Sequence, residues 1–149
     1  MFISKECDYA VRIVRALADG EKKTAEDIGR REAISQQFAY KILKKLEKSG
    51  LVRALRGKAG GYALTRGLDE FSLYDVFSAL EGRILLTACL RDGFACPMNR
   101  GASPCGVHRE FVRLQEMLAA GLKEKTISEV LGLTRDPDVR VSGFGTAKR

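Results

Sequence analysis

Residues Ser35–Arg66 read SQQFAYKILKKLEKSGLVRALRGKAGGYALTR. Ser35 offers a side-chain oxygen at a helix start, and Gly50 offers a stop. Between them Phe38, Ile42, Leu43 and Leu46, with Ile34 just ahead, recur at helical spacing and predict one apolar face. The other face carries Gln36, Gln37, Tyr40, Lys41, Lys44, Lys45 and Lys48. Leu51–Arg56 and Tyr62–Thr65 are β-prone, and the GKAGG between them supplies a turn. The stretch therefore predicts a polar-faced helix followed at once by a glycine-bent basic hairpin.

Working upstream, Ser4 caps a predicted helix over about 5–18, with Ala10, Val11, Val14, Leu17 and Ala18 at helical spacing and Gly20 as its end. Thr24 opens a short second helix, Asp27 completes its capping box, and Ile28 anchors it. A turn at Glu32–Ile34 leads into Ser35. Helix, helix, turn, helix and hairpin give a mainly α chain built as a winged helix-turn-helix.

Downstream, Ser72 and Asp75 start a helix to about Glu81. Residues 82–104 read as irregular. A long helix follows, with Val107, Phe111, Leu114, Leu118 and Leu122 spaced for a helix–helix interface. Thr126 caps a last short helix to Leu131. The reading divides the chain into a winged helix-turn-helix head (1–82), a cysteine-rich loop (83–104), a long helix with its short successor (105–132) and a flexible tail (133–149).

The 149 residues carry a net charge of +7, and all of the excess lies in residues 1–66, where 15 Lys and Arg face 8 Asp and Glu. Between Lys41 and Arg66 there are eight basic residues and one acid, Glu47. Such asymmetry points to nucleic acid, the alternative being a merely solvated lysine face. The major groove of double-stranded DNA admits one helix, so Ser35, Gln36, Gln37 and Tyr40 are the candidates for base edges. Lys41, Lys44, Lys45 and Lys48, with Arg53, Arg56, Lys58 and Arg66 of the wing, are the candidates for phosphates. Neutralising about six phosphates gives a log–log salt slope near −5. No apolar run approaches the ~20 residues of a bilayer span, and the N-terminus lacks the pattern of a signal peptide, so the expected compartment is the cytoplasm, with no membrane partner.

Three of four cysteines, Cys89, Cys96 and Cys105, and the single His108 fall within twenty residues as C-x6-C-x8-C-x2-H. In a reducing compartment such a set is metal-binding or redox-active more often than disulfide-paired. An iron–sulfur cluster needs thiolates and accepts another kind of fourth ligand, and a loop with Gly93, Pro97, Gly101, Pro104 and Gly106 can wrap one. Zinc favours closer pairs than this spacing offers, and thiol oxidation or an inert set are further readings. A catalytic Cys105–His108 pair lacks any sign of a substrate cleft, so no enzyme is expected. A metal-handling protein whose basic face binds an acidic partner is the reading from another class. Cys7 lies outside the motif and reads as a small buried residue.

Three segments together resemble one family: DYAVR at Asp8–Arg12, SGLVRALRGKAGGYALTR at Ser49–Arg66, and CGVH at Cys105–His108. The chain is similar, over about 2–131, to the winged-helix regulators of Rrf type that include the iron–sulfur assembly regulator IscR and the nitric-oxide-sensing repressor NsrR. The resemblance implies a homodimer whose long helices cross and whose paired heads bind a palindromic operator. It implies a 2Fe–2S or 4Fe–4S cluster on Cys89, Cys96 and Cys105. The fourth ligand would be His108, or Asp8 from the other subunit; both residues are present. The gaps of six and eight between the cysteines are longer than is usual in the family. The expected function is a regulator, for instance a repressor, that senses redox state, nitric oxide or cluster supply. The alternative is a cluster-free regulator of the same fold that uses thiol oxidation, zinc or a protein partner.

Overall fold

The computed structural model describes residues 4–57, 60–98 and 105–133. Lys58 and the predicted tail from 134 onward lie outside them. Helices α1 (Lys5–Ala16), α2 (Ala25–Glu32) and α3 (Gln36–Lys48) are followed by strands β1 (Val52–Leu55) and β2 (Gly61–Leu64). Then come α4 (Leu73–Glu81), a 3-10 turn at Ala88–Leu90, α5 (Gly106–Glu124) and α6 (Ile127–Val130).

Local hydrogen bonding sets the helix starts. Ser4 Oγ accepts from the backbone of Cys7, and Thr24 and Asp27 close a reciprocal box at α2. Ser35 Oγ accepts from the Phe38 N–H at α3. Asp75 accepts from both the N–H and the hydroxyl of Ser72 at α4. Thr126 and Glu129 repeat the box at α6. Each cap satisfies donors that a helix start leaves open.

The turn between α2 and α3 carries Ala33 in the left-handed region at φ 54°. The chain passes so close there that a Cβ on Gly29 would lie 2.6 Å from the Ile34 carbonyl oxygen. This approach fixes α3 against α2. Burial of Ala10, Ile13 and Val14 of α1, and of Leu17 just after it, against Ile28 and against Ala39, Ile42, Leu43 and Leu46 of α3 makes the core of the head.

The hairpin is antiparallel with Val52 opposite Leu64 and Leu55 opposite Gly61. A third edge, absent from the sequence reading, joins it: Lys23 and Tyr62 exchange backbone hydrogen bonds at 3.0 and 2.8 Å, pinning the wing to the start of α2. The chain also returns to the head at its far end. Ile127 donates its N–H to Phe71 O, Ser128 donates to Leu68 O, and the Ile127 side chain is fully enclosed in the core.

One expectation is corrected. Phe38 does not join the buried face of α3; it is 48% exposed, and Ala39 is buried instead. At 100° per residue Phe38 lies about 90° around the helix from the centre of the Ala39–Ile42–Leu43–Leu46 stripe. Its spacing of four from Ile42 concealed that offset.

Candidate functional site: a basic helix face and a cysteine cleft

Burial of Ala39, Ile42, Leu43 and Leu46 turns the rest of α3 outward. Gln36, Gln37, Tyr40, Lys41, Lys44 and Lys48 are exposed there, and Arg53 and Arg56 are exposed on the wing. Ser35 is exposed too, although its hydroxyl already serves the cap. Tyr40 lies beneath the Lys44 ammonium at 5.6 Å. Arg66 turns onto the Phe71 ring at 5.5 Å.

The lysines of α3 are not equivalent. Lys41 and Lys45 both reach across to α1, where they meet the two oxygens of the Glu6 carboxylate at 2.5 and 2.6 Å. The hydrogen bond from Lys41, then that from Lys45, holds the Glu6 carboxyl below its ordinary range. Lys44 pairs within the helix with Glu47 at 2.9 Å, which raises its own pKa.

Helix α1 adds groups that the sequence reading did not assign. Tyr9 meets Phe38 edge-on, with ring centroids 6.1 Å apart, and Lys5 and Arg12 lie over the Tyr9 ring at 5.4 and 5.7 Å. Their spacing of four and three puts Lys5, Tyr9 and Arg12 on one helical face, a signal legible in the sequence. The Phe38 partner was not legible, because Phe38 had been read as core.

The second feature is a cleft of about 380 Å³. Cys89 stands on the 3-10 turn, Cys96 follows in irregular chain, and both line the cleft together with His108, Val112, Gln115 and Glu116 of α5. Arg83 and Arg91 also line it, and Arg83 forms an ion pair with Asp92. The Gln115 amide clamps the approach to the turn, accepting from Leu86 N–H at 2.9 Å and donating to Ile84 O at 2.8 Å. Cys105 occupies the N-cap of α5, one turn before His108.

None of the four cysteines is in a disulfide, and Cys7 is buried away from the cleft, beside Ser4 and Glu81. Burial, supported by the nearby Glu81 carboxylate, pushes its thiol pKa up. Asp8 lies on α1, half-exposed and paired with Arg12 at 2.9 Å, and it does not line the cleft. Among the described residues no three His, Cys, Asp or Glu side chains are gathered as a metal site. Residues 99–104, between Cys96 and Cys105, lie outside the described set.

A capped helix with a polar outer face, locked by a tight turn to its neighbour and flanked by a basic hairpin, defines a winged-helix DNA-binding protein. The chain belongs to the Rrf2 family, described as iron-dependent transcriptional regulators, whose family model matches residues 3–132. It is 31% identical over 134 residues to protein aau3 of Rhizobium meliloti, covering 88% of this chain and 85% of that one. It is 30% identical over 105 residues to the transcriptional regulator IscR of Klebsiella pneumoniae, covering 70% and 62%. In fold it matches CymR, the global cysteine regulator of B. subtilis, with a TM-score of 0.71 at 22% identity over 90% of this chain and 98% of that one. The protein is thus a transcriptional regulator and not an enzyme. Among the described residues no helix is long and apolar enough to cross a membrane.

Proposed function

We propose that this regulator binds a palindromic operator as a homodimer and that an iron–sulfur cluster sets its affinity. Helix α3 enters the major groove. Gln36 and Gln37 meet base edges near its start, with Ser35 and Tyr40 beside them, and exposed Phe38 offers an apolar surface of the kind that meets thymine methyl groups. Lys44, Arg53, Arg56 and Lys58 meet phosphates, and Lys41 and Lys45 belong to the same face.

The observation that carries the cluster is the lining of one cleft by two thiols and an imidazole, with α5 as its wall. This donor set suits iron–sulfur ligation. Cys89, Cys96 and Cys105 would hold the cluster. His108 is the fourth ligand favoured by the cleft, and Asp8 of a second copy is the alternative. When bound, the cluster supplies a centre that oxygen, nitric oxide or iron shortage can alter. The chain's own part is mechanical: Gln115 ties the segment before Cys89 to α5, so a change in the cleft is felt along that helix.

Helix α5 is the dimer element of this reading. It is about 28 Å long, and Val107 and Met117 are 63% and 58% exposed on it, with Leu114 also exposed. Two heads set by one such contact meet two half-sites, and each lost base contact costs about 1–3 kcal/mol. A small change in head spacing therefore releases the operator. The expected compartment remains the cytoplasm.

Anaerobic purification tests the reading. The protein should come out brown with bound iron, and Cys96→Ala should lose both the colour and the cluster-dependent change in operator binding. Colourless, iron-free protein that still regulates its operator would favour a thiol or partner mechanism.

A further inference from the structure

The Glu6 carboxylate occupies the place a phosphate would take. It lies between the ammonium groups of Lys41 and Lys45, one oxygen to each, at 2.5 and 2.6 Å. These lysines are one helical turn apart on α3, so they form a paired cationic clasp. Glu6 comes from a different helix, whose own start is fixed by the Ser4 cap. Its side chain is only 23% exposed, against 56% and 38% for the two lysines. The carboxylate is thus the more shielded partner and the lysines are its reach into solvent.

We infer that Glu6 is a specificity-determining residue: an internal phosphate mimic that keeps Lys41 and Lys45 out of the phosphate contacts and so restrains sequence-independent DNA binding. The inference rests on the DNA-binding reading above. Its physical basis is simple. Phosphate contacts raise affinity for every duplex alike, whereas base contacts discriminate. A regulator with eight basic residues between Lys41 and Arg66 gains selectivity if two of them are engaged at home. Glu47 also pairs with Lys44, but within one helix and with a single lysine, so Lys44 stays among the phosphate contacts.

The test uses the full-length protein and a random-sequence duplex, with affinity measured across a salt series. Glu6→Gln keeps the shape and removes the charge. Two surface pairs of ordinary strength, about 0.2–1 kcal/mol each, set the scale of the gain at about two- to thirty-fold in non-specific affinity. The slope of log K against log salt should steepen by about 1–2, since each new phosphate contact adds about 0.9. Adding Lys41→Gln and Lys45→Gln should abolish both gains. The lysine pair changed alone in the wild-type background should leave the slope where it was, and this arm decides the matter even if Glu6→Gln fails to fold. A slope unaltered by Glu6→Gln, or one that becomes shallower by about two when only the lysines are replaced, overturns the role of Glu6. If no protein in the series, wild type included, binds duplex at low salt, the DNA-binding reading itself fails.

Discussion

Gly29 shows how one missing side chain sets the angle of α3. A Cβ there would meet the Ile34 carbonyl oxygen at 2.6 Å, and that oxygen belongs to the backbone of the turn into α3. Alanine is the better helix former by about 1 kcal/mol. The steric term is larger, because a backbone that cannot yield must move as a unit; overpacking of this kind costs about 1–3 kcal/mol. Gly29→Ala is therefore expected to lower stability in urea denaturation and to weaken operator binding further, since α3 must shift. A rise in stability would show that the turn relaxes freely. Gly29 lies in a helix interior, where a glycine in a sequence suggests either a packing need or nothing at all. The sequence states the residue but not the carbonyl opposite it.

At the scale of elements, the helix starts were legible and the contacts between elements were not. Ser4, Thr24, Ser35, Ser72 and Thr126 were each identifiable because a cap and its partner lie within three residues. The pairing of Lys23 with Tyr62 and of Glu6 with Lys41 spans 35 residues or more, and no local pattern encodes such partners. Periodicity told which residues of α3 share a face only to within about a quarter turn, which is why Phe38 was misplaced. In the candidate site, the grouping of Cys89, Cys96 and His108 was legible from spacing. The clamp by Gln115 was not, because an amide on a helix carries no signature of what it holds. Helix α5 has the apolar stripe foreseen from the sequence, and not one of its residues is buried within the single chain. Leu114→Glu puts a charge on that stripe. The expected result is a shift from dimer to monomer in sedimentation equilibrium, with little change in the helicity of the head; a dimer that persists would move the contact elsewhere.

Across the molecule, several carboxylates prefer to stay ionised. The Lys41 hydrogen bond lowers the Glu6 carboxyl, and Lys23 does the same for Asp19. Burial pulls Asp75 upward, yet hydrogen bonds from the Ser72 backbone and hydroxyl leave it lowered on balance. In each case the unfolded chain takes up the proton first as pH falls. The stabilisation is complete above the ordinary carboxylate range and drains away as pH drops through the lower native values. Urea midpoints should accordingly stay level from pH 7 to about 5 and fall steadily towards pH 3; a midpoint that holds at pH 3 would mean these pairs contribute nothing. The enclosure of Ile127 has a consequence for synthesis. Translation delivers the helix-turn-helix early, but the slot among Phe71 and its neighbours stays open until α6 leaves the ribosome. A nascent chain therefore lacks this core residue until Ile127 has emerged, and a product clipped before it carries an open hydrophobic seam.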